Sequence, residues 1–309
     1  MATRERAEML SAALWKRRQA LEAREHLREG SEEDYRNRRK WLEARLVVLG
    51  ARLLGLYERG RRNTHDIALE YVTLHPPRLP EALEGLRILH CSDFHYGRFD
   101  PKFGRVVHEL LAGTEADLAF FTGDYRYGYF GGAEHVYPQV AALVASLRIA
   151  HGVYGTLGNH DLSDMVAPLE EAGVTMLVNR GVALSVRDVP VWIGGVDDSH
   201  KFHCASPEAA LAGAPEEAFK MLLAHGPAEA IDAAGLGVDL YFCGHTHGGQ
   251  ICFPLLGAVR TNARAPRAYA EGVWRCGSMC GYTSRGLGTT DVPLRYRCRP
   301  EATLIKLCR

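Results

Sequence analysis

From about residue 67 the chain falls into short apolar runs of strand length, separated by loops rich in Gly, Asp and His and interleaved with stretches of helical periodicity. The apolar runs predict strands over 67–74, 86–91, 118–122, 153–157, 174–177, 191–194, 220–224, 240–243 and 302–307, and helical patterns fill 102–113, 134–148, 164–172, 206–213 and 227–233. Strands alternating with helices indicate an α/β arrangement. Residues 1–62 differ in kind. They are almost free of Pro, rich in Ala, Leu, Arg and Glu, and broken at Glu29-Gly30-Ser31-Glu32, where Ser31 and Asp34 have the spacing of a capping box. Two helices are predicted there, 4–28 and 32–58, so a helical extension over 1–62 precedes a main domain over 63–309.

In the second helix Trp41, Leu42, Leu46, Leu49, Leu53, Leu56 and Tyr57 recur at three- and four-residue steps, flanked by Arg38, Arg39, Lys40, Arg45, Arg52, Arg59, Arg61 and Arg62. An apolar stripe with a basic surround suits an interfacial helix on anionic lipid, which would make residues 32–62 a peripheral membrane contact. It also suits a helix packed on the main domain or on a partner with its basic face in water.

Composition narrows the class. The chain holds 37 basic and 37 acidic side chains, so no nucleic-acid partner is expected from its overall charge. The charge is segregated, however: residues 1–62 carry 16 Lys and Arg against 10 Asp and Glu, a net of +6, and the remainder balances it. With 47% hydrophobic residues over 309 positions a large core can be buried. No secretory signal pattern opens the chain, and the run 46–51 is far short of the ~20 apolar residues of a spanning helix. A cytoplasmic location is expected. The eight cysteines then read as reduced core thiols, and Cys276 and Cys280, with three residues between them, have no second pair to complete a zinc site.

Five apolar runs end directly in metal-ligand residue types. The first leads into Ser92-Asp93-Phe94-His95, where an extended backbone would point Asp93 and His95 the same way. The second closes in Gly123-Asp124, and a carboxylate can bridge two cations. The others give Gly158-Asn159-His160-Asp161, His225-Gly226-Pro227, and Gly244-His245-Thr246-His247-Gly248-Gly249-Gln250. Singly each is weak, because an isolated histidine or aspartate is usually structural.

In this order the five motifs resemble those of the calcineurin-like metallophosphoesterase superfamily, over about residues 85–309. Gly248-Gly249-Gln250, Ser284-Arg285-Gly286-Leu287-Gly288-Thr289-Thr290 and Pro293-Leu294-Arg295 further resemble a branch of bacterial phosphodiesterases related to lipid A and the cell envelope. The resemblance implies a four-layer αββα sandwich with two divalent ions at the strand ends. One would be held by Asp93, His95, Asp124 and His247, the other by Asp124, Asn159, His225 and His245, with Asp124 bridging. Oxygen and imidazole ligands without thiolate suit Mn, Fe or Zn. His160 would contact a phosphate oxygen and protonate the leaving group, with Asp161 orienting it.

Substrate contacts are expected from Tyr125 and Arg126, in the aromatic loop after Asp124, and from Arg285 and Arg295, whose forks match a second phosphate or a carboxylate. The stretch Asp197-Asp198-Ser199-His200-Lys201-Phe202-His203 follows a strand and could line the mouth or form an exposed turn. The expected activity is hydrolysis of a phosphodiester or pyrophosphate in a nucleotide-linked or lipid-linked substrate such as UDP-2,3-diacylglucosamine, at the inner face of the cytoplasmic membrane. The alternatives are a silent scaffold of this fold that binds protein, a protein phosphatase, and a cyclic-nucleotide phosphodiesterase.

Overall fold

The computed structural model describes residues 2–26, 32–97, 101–128, 131–254, 257–258, 261, 263–290 and 292–309. Twelve strands build two six-stranded sheets. In chain order they are β1 (Ala68–Leu74), β2 (Arg87–Cys91), β3 (Leu118–Phe121), β4 (Val153–Gly155), β5 (Val174–Met176), β6 (Arg180–Val186), β7 (Val189–Gly195), β8 (Phe219–Leu223), β9 (Leu240–Cys243), β10 (Gly272–Cys276), β11 (Met279–Thr283) and β12 (Glu301–Leu307). Sheet I has the order β1-β12-β2-β3-β4-β5 and sheet II the order β10-β11-β9-β8-β7-β6. Strands β2 to β5 run parallel, as do β7, β8, β9 and β11, so the loops that leave them emerge on shared edges.

Side chains alternate across each strand, and the alternation sorts them into layers. Ile88, Phe120 and Ile305 of sheet I meet Ile193, Met221, Phe242 and Tyr282 of sheet II in the central core. On the opposite face of sheet I, Leu89, Ala119 and Phe121 pack under helices α4 (Pro101–Leu111), α5 (Tyr137–Ser146) and α6 (Val166–Glu171). Outside sheet II, Leu222, Tyr241 and Cys243 meet short helices α7 (Pro207–Ala210) and α8 (Ala230–Gly235). The four-layer αββα sandwich expected from the sequence is the observed architecture. All eight cysteines are free, and burial raises the pKa of Cys91 and Cys243 far above an ordinary thiol.

The N-terminal region forms α1 (Ala2–His26), α2 (Glu32–Leu53) and α3 (Tyr57–Asn63). The predicted second helix is thus two, parted near Gly55, whose φ of 69° only glycine adopts readily. Ser31 of the predicted capping box and the side chains of 32–41, including Trp41 and Arg38 to Lys40, lie outside the described residues. Both α1 and α3 dock on the sandwich: Trp15 packs against the core outside sheet I, and Asn63 donates to the carbonyl of Arg295 at 2.8 Å. By contrast α2 leaves Leu42, Leu46, Leu49 and Leu53 exposed, more than half of each in water.

Candidate dimetal centre

The five motif loops converge because their strands are neighbours: β2, β3 and β4 in one sheet, β8 and β9 in the other. Backbone bonds stitch the first two loops together, with Asp93 N donating to Gly123 O at 3.0 Å and His95 N to Asp124 O at 2.9 Å. Phe94, between the two ligand types, turns into the core and stacks on Tyr125 with centroids 5.4 Å apart. The extended backbone expected at Asp93 and His95 is not what brings them together. Asp93, His95, Asp124, His245 and His247 all have φ between 44° and 69°. Left-handed non-glycine residues cost on the order of 1–3 kcal/mol each and persist where packing over-determines them. At Gly244 and Gly158 the loops touch so closely that a Cβ would collide with the side chains of Asp93 and Asp124 respectively.

The side-chain donors face one point cluster. His247 Nε2 lies 3.2 Å from Asp93 Oδ1 and 3.2 Å from His95 Nε2, which is 3.4 Å from Asp124 Oδ2. On the other side of Asp124, its Oδ2 is 3.2 Å from His225 Nε2, which in turn is 3.1 Å from Asn159 Oδ1 and 3.2 Å from His245 Nδ1. Separations of this size are what ligands ~2.1 Å from a shared ion would show. The facing imidazole nitrogens point the same way, since two such lone pairs repel unless a proton or a cation sits between them. The donor set is oxygen and imidazole alone, which suits divalent ions, and Asp124 stands in two of the three groups of donors close enough to share an ion, with His95 and His160 in one and with Asp93 and His225 in the other.

Electrostatics of the bare cluster follow its burial. Burial drives the His95 pKa down to about 4 and those of His160 and His245 to about 3. At His225 burial acts in the same direction but is outweighed by Asp124 and Asp93, and the ring is raised to about 10. The same attraction, chiefly from His225, overcomes burial at Asp124 and holds that carboxylate well below its usual range.

The calcineurin-like phosphoesterase family model matches residues 86–249, from β2 through the last of these loops. This chain is a calcineurin-like phosphoesterase. It is 30% identical to the metallophosphoesterase YkuE of Bacillus subtilis, over 88% of this chain and 97% of that protein. It is also 30% identical to the phosphodiesterase YaeI of Escherichia coli, over 72% and 82% respectively. YkoQ of Bacillus subtilis, another metallophosphoesterase, is 28% identical over 79% and 92%. The chain is therefore a metal-dependent phosphoesterase, and its clustered donors could hold the metal.

Around that centre the phosphoesterase departs from expectation in several places. Asp161 does not orient the His160 ring. Its buried carboxylate accepts four backbone N–H bonds, from Asp124 (2.7 Å), Gly158 (2.8 Å), Tyr125 (2.9 Å) and Arg126 (3.4 Å), and so staples the bridging-ligand loop to the Asn159 loop. His160 holds Asp124 through its backbone, donating to Oδ1 at 2.8 Å, while its Nε2 is 3.9 Å from Asp124 Oδ2.

The four residues expected to touch substrate are also placed otherwise. Tyr125 is a core ring. Arg126 is buried and donates to His160 O at 2.5 Å and Gly131 O at 2.6 Å. Arg295 is fully buried beneath the last motif, giving its guanidinium to the carbonyls of Arg285 and Gly288 and lying 3.2 Å from His247 Nδ1. Arg285 is paired with Glu301 and Glu70 on the far side of that wall. All three arginines therefore brace loops. The stretch after β7 divides in function: Asp198 accepts the N–H groups of His200, Lys201 and Phe202, and this turn lays the His200 ring 4.3 Å from that of His245.

Sequence patterns missed one part of the surroundings. A pocket of about 330 Å³ opens beside His95, lined by Arg61, His65, Phe103, Tyr127 and Pro293. Arg61 and His65 come from α3 and the residues just after it, so the N-terminal region reaches the site. The cluster of arginines over 59–62 was the available signal, read only as a basic helix face.

Proposed function

We propose that this phosphoesterase cleaves phosphodiester or pyrophosphate bonds, in a substrate whose second ester group is a nucleotide or a lipid headgroup, with UDP-2,3-diacylglucosamine as the leading candidate. The pocket beside His95 carries the proposal. A monoester needs only the ion cluster, whereas about 330 Å³ of adjoining space with aromatic walls and an arginine at its rim suits a second, charged substituent. The likeness to YaeI, itself named a phosphodiesterase, supports the same reading.

Within it, Asp93, His95, Asp124 and His247 would hold one ion and Asp124, Asn159, His225 and His245 the other, and two ions so held would lower the pKa of water and neutralise charge on phosphoryl oxygens. The chain's own contribution is position. Asp161 and the paired turns fix Asp124 between the two donor groups. His160, whose ring stands edge-on to His95 at 4.8 Å, contacts the phosphoryl or leaving-group oxygen. Tyr127, 45% exposed and 6.3 Å from the His95 ring, covers one side of the second substituent, and Arg61 meets its charge.

The test is UMP release from UDP-2,3-diacylglucosamine by the manganese-loaded protein, beside a chelated control and bis(p-nitrophenyl) phosphate. Chelator-sensitive UMP release supports the full proposal. Cleavage of the aryl diester alone keeps the phosphodiesterase and removes this substrate, and hydrolysis confined to monoesters removes both.

We also propose that α2 rests on anionic membrane. No helix among the described residues is long and apolar enough to cross one, yet Leu42, Leu46, Leu49 and Leu53 form one uncovered stripe beside Arg45 and Arg52. Sedimentation with phosphatidylglycerol vesicles should fall strongly in a Leu46→Ser, Leu53→Ser double variant. Equal sedimentation of variant and wild type would remove the membrane from the account.

A further inference from the structure

Arg18 lies in the middle of α1, yet its side chain is fully buried. Its Nη1 donates to Asp197, two residues beyond β7, and its Nε to Glu22 at 2.6 Å. The guanidinium also lies over the Phe202 ring, 3.7 Å from its centroid. Those contacts would suffice to anchor a helix. One more goes to the catalytic loop itself: Nη2 donates to the carbonyl oxygen of Asp161 at 2.6 Å. One turn further along the helix, Glu22 accepts from Ser163 N at 2.9 Å and Ser163 Oγ at 2.5 Å. The consecutive carbonyls of His160 and Asp161 are thus each held by a buried guanidinium, the first by Arg126 and the second by Arg18.

We propose that Arg18 is a positioning residue of the phosphoesterase site, which fixes the Gly158-Asn159-His160-Asp161 loop from a helix outside the αββα sandwich. Clamping two successive carbonyls sets the peptide planes on either side of Asp161. That backbone in turn carries the His160 N–H bonded to Asp124 Oδ1 and the Asp161 carboxylate bonded to Asp124 N. With Arg18 removed, Asp161 O is left buried without its donor and Asp197 without its cation, and both press the loop to rearrange. Misplacements near 1 Å in such a site cost about 100-fold in rate. The N-terminal helix is then part of the enzyme's working site. The inference rests on the assignment of the His160 loop to catalysis.

The experiment uses the full chain, manganese-loaded, with Arg18→Ala, Arg18→Lys and, as a control on helix docking, Trp15→Ala. Three quantities are read: kcat and KM for bis(p-nitrophenyl) phosphate at 20 °C, Tm, and amide hydrogen exchange of peptides spanning 158–163. Arg18→Ala is expected to lower kcat by about 10- to 100-fold with KM within about twofold, and to speed exchange in 158–163. Arg18→Lys keeps a cation beside Asp197 but has no fork to reach Asp161 O, so kcat and exchange should follow Arg18→Ala while Tm recovers. Trp15→Ala should lower Tm and leave kcat and loop exchange near wild type. Wild-type kcat and exchange in Arg18→Lys, or an equal loss in Trp15→Ala, would overturn the proposal. If Arg18→Ala does not fold, Arg18→Lys decides. Failure of the wild type to cleave any diester would sink the proposed function, and loop exchange would still report on Arg18.

Discussion

Replacing Glu229 by Gln isolates one buried carboxyl beside the metal centre. Glu229 closes the short 3-10 turn Pro227–Glu229 that follows His225, and its Oε2 is buried with no hydrogen-bond partner among the described residues. Burial pushes its pKa from the ordinary 4.5 up to about 7; a bond from Ser199 opposes the rise, and the charges of Asp198 and Asp232 add to it. The folded protein therefore keeps a proton that the unfolded chain has already released. The resulting stabilisation is complete below about pH 4.5 and is lost as pH rises towards 7. A gap of that width corresponds to ~3 kcal/mol, and partial solvent contact reduces it to on the order of 2 kcal/mol. Urea unfolding of the metal-free protein at pH 5 and pH 8.5 measures it. Wild type should lose about 2 kcal/mol more than Glu229→Gln between the two, because the amide carries no charge at either pH. Parallel declines in the two proteins would refute the burial argument.

Three further outcomes follow from the site. Asp161→Ala leaves four buried N–H groups without an acceptor and should cost about 3 kcal/mol or more; it should release bound manganese as well as activity, and retained metal with only a lower kcat would contradict the stapling role. Asp124→Ala removes the shared ligand, so metal per chain by plasma emission should fall below one ion and hydrolysis by at least about 1000-fold. Gly244→Ala, whose Cβ would strike Ser92 and Asp93, should lose metal binding while circular dichroism stays native, since the collision is confined to the contact between the last and first motif loops.

The strands β2, β3, β4, β8 and β9 were legible in the sequence because each is an apolar run buried on both faces, and the donors were legible because they stand at the ends of those runs. Three strands were not. β6 is a sheet edge whose residues are mostly half exposed, so its apolar signal is diluted. β10 and β11 form a hairpin around Gly277 and Ser278, a turn pair that was there to be read, but their Gly and Cys content hides a strand defined by pairing with β9. The arginines failed for a different reason. Nothing local distinguishes Arg18 from Arg17, or Arg295 from Arg297; the carbonyls and carboxylates that bury them lie on other loops, and only the folded chain brings those together. Asp161 likewise was read as a side chain next to a histidine, when its acceptors serve the backbone of a loop from a different strand.

The placement of β12 bears on how this enzyme comes to exist at all. The strand that leads into the Asp93 loop, β2, has β3 on one side and the antiparallel β12 on the other, and β12 in turn joins β1 to the sheet. Both of its neighbours, β1 and β2, lie close together in the chain, whereas β12 follows them by more than 200 residues. Until it pairs, sheet I has a gap between β1 and β2, whose facing edges are unpaired, and such edges invite association with other chains. Pairing at this sequence separation is also entropically slow. Closing sheet I beside the Asp93 loop therefore depends on a strand that lies far along the chain from both of its partners.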